Sequence, residues 1–249
     1  MNAQTKARTI PLVFWFALLV SATGQDFSPF LEPVSLTGSI STSSNSPVLF
    51  TFHRTARLEG SKVFASREYL APDGTLVAKE SVEYETNQLT HFVLDELQIQ
   101  ARGSATFERT ADGKTLVRFE YEERAKRKKT ATEVQSGPVL VNDTLPDFIS
   151  QHWDGLLKGE SFGFRYAIVQ RLETIAFTLR KTGETAKGGL AEIEMRPANW
   201  LLQKMVQPIV FSVELAAPHR ILQYTGRTTP KLRQGHAWKD LDAVTTFNW

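Results

Sequence analysis

Residues 107–121 read FERTADGKTLVRFEY, and this stretch decides the fold. Val117, Phe119 and Tyr121 alternate with Arg118, Glu120 and Glu122, so one face meets a core and the other meets water, the pattern of an antiparallel strand. Ala111-Asp112-Gly113 lies between this run and the one before it, and the glycine supplies the positive φ that a tight hairpin requires. Pro72-Asp73-Gly74 repeats the arrangement: Tyr69 to Tyr84 and Phe107 to Tyr121 each run aromatic, Asp-Gly turn, Thr-Leu-Val, then a Glu-Tyr pair. One meander reusing a good turn accounts for the likeness more cheaply than an internal repeat.

The alternation extends outward from there. Phe162, Phe164, Tyr166 and Ile168 alternate with Gly163, Arg165 and Ala167, and Ile209, Phe211, Val213 and Leu215 alternate with Val210, Ser212 and Glu214. No Pro/Gly linker or change of composition divides residues 48–249, so they read as one β-rich domain. Residues 25–47, which include the Ser/Thr-rich SLTGSISTSSNSP at 35–47, read as a flexible lead-in with at most one edge strand.

Two short amphipathic helices interrupt the strands. Thr144 can cap the first and Pro146 suits its first turn; Leu145, Phe148, Ile149, Trp153, Leu156 and Leu157 recur at helical spacing until Gly159 stops it. Asn199 can cap the second, whose apolar face is Trp200, Leu201, Leu202, Met205 and Val206, ending at Pro208. Both faces need a partner surface, and a sheet is the large one available. The expected fold is therefore mainly β (α+β): a single large curved antiparallel sheet or half-barrel with the two helices covering one face.

At the start of the chain, Lys6 and Arg8 precede an apolar run from Ile10 to Val20 that ends in Ser21, Ala22, Thr23 and Gly24. The run is shorter than the roughly 20 residues of a membrane-spanning helix and fits a signal-peptide core of about 7–15. Residues 1–24 are thus expected to be a cleaved export signal, with the mature chain starting between Thr23 and Gln25; an uncleaved anchor is the other reading. The absence of cysteine excludes a disulfide scaffold, a cysteine nucleophile, a thiolate metal site and acylation at a lipoprotein cysteine. Stability then rests on the hydrophobic core, for which about 225 mature residues suffice. Lys6 and Arg8 leave with the signal, so the processed chain carries 27 basic and 27 acidic residues and has no electrostatic case for nucleic acid. The local exception is Arg124, Lys126, Arg127, Lys128 and Lys129, read as a solvated strand end facing Glu120, Glu122 and Glu123, or as a contact to anionic headgroups.

Catalytic patterns are weak. Gly159-Glu160-Ser161-Phe162-Gly163 has the spacing of a nucleophile elbow, but it follows a helix and opens a strand, the reverse of the required context. It reads as a helix stop and strand entry, and no catalytic residue is assigned. His53, His91, His152, His219 and His236 have no metal-ligand spacing, and no glycine-rich phosphate loop or dinucleotide fingerprint occurs, so no metal and no cofactor are expected. Asp147 and Asp154 lie two turns apart and read as solvated helix charges. Asn142-Asp143-Thr144 matches a glycosylation acceptor, relevant only in a eukaryotic secretory path.

Antiparallel strands with helices carrying Trp153 and Trp200, followed by Pro208-Ile209-Val210-Phe211 and Arg220-Ile221-Leu222-Gln223-Tyr224-Thr225-Gly226, resemble an uncharacterised group of exported bacterial β-rich proteins. That group is remotely similar to the periplasmic lipoprotein-carrier half-barrels. The likeness spans residues 48–226 and rests on strand and turn patterns. It implies a curved sheet around an apolar hollow that short helices cover and acyl chains occupy.

The function expected on these grounds is that of an exported, soluble periplasmic protein, not an enzyme, which binds or carries an apolar, lipid-like ligand. Phe148, Trp153, Leu156, Trp200 and Met205 are the candidate ligand-binding residues at the mouth of the hollow, against the alternative that they are ordinary helix-on-sheet core. Two other classes stay open. One is an integral outer-membrane β-barrel, suggested by Leu241, Ala243, Thr245, Phe247 and Trp249 alternating up to a terminal aromatic. The other is an envelope structural or interaction protein making transient contacts without a ligand, or a cryptic hydrolase.

Overall fold

The computed structural model describes residues 35–124, 126–185 and 188–249; the export signal expected at 1–24 and the lead-in up to residue 34 lie outside them. Among the described residues fifteen strands form one sheet. A first wing is a continuous meander: β2 (Val48–Glu59), β3 (Lys62–Leu70), β4 (Leu76–Glu85), β5 (Gln88–Glu96), β6 (Ala101–Arg109), β7 (Thr115–Glu123) and β8 (Lys129–Gln135). A second wing contains β9 (Val139–Leu140), β10 (Ser161–Ile168), β11 (Glu173–Glu184), β12 (Leu190–Pro197), β13 (Ile209–Glu214), β14 (Ile221–Gln234) and β15 (Ala237–Asn248). β1 (Leu36–Ser41) joins them, pairing β2 on one side and β15 on the other. The order across the sheet is β8-β7-β6-β5-β4-β3-β2-β1-β15-β14-β13-β12-β11-β10-β9, antiparallel throughout except for the β9–β10 pair.

Period-two patterning works as its physics requires. Val117 and Phe119 are buried while Arg118 and Glu120 are exposed, and Phe211 and Val213 are buried opposite half-buried Val210 and Ser212. The two Asp-Gly hairpins, β3–β4 and β6–β7, close with the same backbone bonds: Gly74 N–H to the Ala71 carbonyl and Gly113 N–H to the Thr110 carbonyl, each 2.9 Å. Both glycines have positive φ, +84° and +79°.

β1 differs from the expectation of at most one edge strand in a flexible lead-in: it has a strand on each side and sits at the centre of the sheet. Its inward residues are Leu36, Gly38 and Ile40, so the apolar alternation is interrupted by a glycine. A Cβ at Gly38 would overlap the Phe52 ring and the Thr246 carbonyl oxygen, which is why the sequence there looks polar and unstructured.

The sheet curls until its wings meet, making a near-closed barrel. Its edge strands β8 and β9 do not pair with each other; the Glu133 side chain of β8 reaches β11 instead. Thr174 of β11 donates through its N–H and Oγ1 to Glu133 Oε2 of β8 (3.0 and 2.7 Å). A Cβ at Gly103 would come within 2.6 Å of Val169, so this glycine permits the close approach of the β10–β11 turn to β6.

The first predicted helix fills the interior. It is split at His152 into α1 (Leu145–Gln151) and α2 (Trp153–Leu157), and the His152 ring lies 4.3 Å from both Phe148 and Phe162. Pro146 is in the first turn and Gly159, φ +83°, ends the helix as expected. Thr144 does not cap it; its hydroxyl bonds the Val141 backbone instead. Leu145, Phe148, Ile149, Trp153 and Leu156 belong to the main core, which draws on both wings from Ala56 and Phe119 to Ile193 and Phe211. The second predicted helix shrinks to a single turn, α3 (Trp200–Gln203), capped by Asn199 as expected but with its apolar face in solvent. Short helices draw their stability from tertiary packing, and this one has little.

Candidate functional site

Three charged residues point into the barrel where the strand period demands apolar ones. Arg54 in β2 stands opposite Arg67 in β3, which stands opposite Glu80 in β4, forming one inward row. All three are buried. The row divides the interior: Ala56, Ala65 and Val82 on one side belong to the main core, and Phe52, Tyr69 and Ala78 on the other to a second cluster with Leu36, Ile40 and Leu241.

Such a row is tolerable only if its charges are paired and hydrogen-bonded. The turn Asn142–Thr144, between β9 and α1, supplies the partners. Arg54 donates through Nε and Nη2 to the two oxygens of Asp143 at 2.6 and 2.8 Å, a bidentate pair. Arg67 Nη2 lies 3.8 Å from the same carboxylate, and the Tyr84 hydroxyl donates to it at 2.8 Å. Glu80 accepts from the Tyr69 hydroxyl at 3.0 Å, from Asn142 Nδ2 at 3.2 Å and from Thr229 of β14. Asn142, the acceptor position of the Asn142-Asp143-Thr144 triplet, therefore serves as an internal donor to Glu80.

Electrostatics follow from this packing. Burial alone would raise the Asp143 carboxyl; the Arg54 charge and hydrogen bond, then Arg67 and Tyr84, outweigh it and hold the group below the usual carboxylate range. Burial pushes the Tyr69 and Tyr84 hydroxyls well up, with Glu80 and Asp143 adding to the shift, so both remain protonated donors.

A cavity of about 30 Å³ opens beside the row. Its polar lining is Arg54, Arg67, Asn142 and Asp143, and its apolar wall includes Phe211, Ile221, Tyr224 and Phe247. Arg67 keeps a buried Nε–H without a hydrogen-bond acceptor among the described residues. The volume accommodates a water molecule or a small polar group. A second, larger concavity, about 610 Å³, is a trough on the outward face of β2–β5 with Thr55, Ser66, Ser81 and Val93 along it.

The five residues expected at a ligand mouth part company. Phe148 and Leu156 are 0 % exposed and Trp153, stacked 4.3 Å from the His219 ring, is 5 % exposed, all within the packed core. Trp200 and Met205 are 66 % and 78 % exposed and lie on the β12–β13 connection. Ser161 stands exposed at the start of β10, opposite Arg180. Among the described residues no group of three or more His, Asp or Glu is placed to hold a metal ion. Each charge of the row, taken singly, reads as a solvated strand residue, so the sequence alone does not single the row out. Its signal was phase: Arg54, Arg67 and Glu80 all fall in step with the buried positions of their strands.

With this geometry in place, comparison with solved structures finds a β-barrel-like protein of the domain of unknown function DUF1849 from Brucella abortus, at 9 % identity and a TM-score of 0.38, covering 87 % of this chain and 95 % of that one. No family model and no curated protein matches the chain.

Proposed function

We propose that the protein is an exported binding protein of the bacterial envelope that holds an apolar, lipid-like molecule between its wings. The observation that carries this reading is the cavity: an apolar wall of Phe211, Ile221, Tyr224 and Phe247 ends on a buried polar row. That is the chemistry of a site for an amphipathic molecule, with a tail against the wall and a polar end at Arg67 and Asn142. At about 30 Å³ the cavity holds only the polar end, so an acyl chain requires the wall beside Leu145 and Pro146 of α1 to open.

The outward faces of the strands argue for an aqueous surrounding over a lipid one. Lys62–Glu83, Lys79–Glu68 and Arg102–Asp95 form ion pairs on the outside of β3–β6, while the inside is apolar apart from the paired row of Arg54, Arg67 and Glu80. A membrane barrel has the opposite arrangement, and charges facing lipid near the midplane cost about 2–4 kcal/mol each for Lys and Arg. The reading is of a binding protein, and Ser161, at a helix stop and strand entry, is not given a nucleophile's role in it.

The test is titration of a fluorescent fatty acid into the processed protein, Tyr224→Ala and Trp200→Ala, with thermal melts alongside. Saturable binding that Tyr224→Ala weakens and Trp200→Ala leaves intact supports the site. Absence of saturable binding in the folded wild type overturns it.

A further inference from the structure

In an antiparallel meander, alternate connections share a rim. The β5–β6, β7–β8, β10–β11 and β12–β13 connections therefore lie at one end of the barrel, while α1–α2 and the cavity lie towards the other. Contacts bear this out: Val169, at the β10–β11 turn, meets Gly103 and so lies beside β6 and β7, and Ala198 N–H donates to the Ala176 carbonyl in β11 at 2.8 Å.

This rim carries two features that the interior site does not use. The β12–β13 connection holds Trp200, Leu201, Met205 and Val206 in solvent, with Lys204 Nζ 4.7 Å from the Trp200 ring centre. The β7–β8 connection carries the exposed cations Arg124, Lys126, Arg127 and Lys128, and exposed Lys129 opens β8. Glu123 lies near Arg124 and Lys126, and Glu120 pairs with Lys128; Arg127 and Lys129 meet no acidic side chain at ion-pair distance among the described residues. Arg171, in the turn between the two features, adds a further cation, itself paired with Glu173.

We propose that this rim docks on an anionic lipid surface, with Trp200, Leu201, Met205 and Val206 entering the headgroup–acyl boundary and the basic run lying against the headgroups. Large apolar side chains clustered in solvent mark an interaction surface. Tryptophan favours the membrane–water boundary, where its ring is buried and its N–H is hydrated. Lys204 sets its ammonium over the face of the Trp200 ring, which places a cation directly beside the apolar cluster. The cations on the same rim select a negatively charged lipid over a neutral one. Docked in this way, the barrel holds its cavity mouth, beside Leu36 and Trp249, away from the bilayer. This surface is separate from the interior site, and either can exist without the other.

The experiment is co-sedimentation of the processed full-length protein with vesicles of phosphatidylcholine alone and with vesicles that also contain phosphatidylglycerol. Wild type is expected to bind the anionic vesicles and to dissociate as salt is raised. Arg127→Gln and Lys129→Gln should each weaken binding about fivefold. The exposed pair Trp200→Ser and Met205→Ser should abolish it with an unchanged melting temperature. No binding to anionic vesicles, or binding that survives the Trp200 and Met205 changes, overturns the proposal. A concentration-dependent dimer in sedimentation velocity that the Trp200→Ser change dissolves assigns the patch to a second copy of the chain, and overturns it likewise. Fatty-acid binding by the same samples reads the interior site independently.

Discussion

Asp143 holds the buried row together, and its loss is the most informative single change. Asp143→Asn leaves the Arg54 guanidinium buried without its bidentate partner, for which a cost of about 3–5 kcal/mol is expected. Replacing Arg54 and Asp143 together by Met and Leu removes the bidentate pair and should cost less than the two single changes summed, with a remainder because Arg67 and Tyr84 lose the same carboxylate; chemical denaturation of the single and double variants measures the coupling. The pair also sets a pH dependence. Asp143 has a folded-state pKa below its unfolded value, so its contribution is complete above the unfolded carboxylate value of about 3.9 and is lost as pH falls below it through the folded value. Melts of wild type from neutral pH downward should therefore steepen in loss of stability below that value, and Asp143→Asn should remove this part of the slope. An unaltered acid profile in the variant would place the acid sensitivity in other carboxylates.

At the scale of elements, what the sequence discloses depends on whether a residue's neighbours are local. The Asp-Gly hairpins, Pro146, Gly159 and the Asn199 cap could be read directly, because each is a statement about one turn of backbone. β1 could not, because Gly38 is required by Phe52 and Thr246, which are remote in the chain. Gly38→Ala should destabilise the protein by about 1–3 kcal/mol through overpacking, visible as a shift in denaturant midpoint; a neutral effect would mean that β1 can shift within its ladder. The helices diverge for the same reason. Periodicity alone made equals of the stripes at 145–157 and 200–206, yet only the first has a surface to cover it. Phe148→Ala should cost about 3–5 kcal/mol, whereas Trp200→Ser should stay within about 0.5 kcal/mol. Calorimetric melts of the two variants separate these outcomes, and equal losses would contradict the burial difference.

For the whole molecule, the two wings meet around a segment, residues 139–157, that joins them from within: Asp143 binds β2, Phe148 packs 5.2 Å from Phe164 of β10, and Trp153 stacks on His219 between β13 and β14. Strand alternation foretold the curved sheet, and the wing-to-wing bonds of Glu133 with Thr174 add a closure that no local pattern encodes. The interior is thus filled by the protein's own chain, with a polar row beneath an apolar wall, and the account assigns to that place a molecule of the same two-sided character. Native mass spectrometry of the protein purified without detergent, followed by organic extraction of the same sample, tests this most directly. The account predicts a bound species of lipid mass that the extract identifies and that Tyr224→Ala depletes. A folded protein at its bare polypeptide mass, from which nothing apolar is extracted and which takes up no added fatty acid, would contradict it.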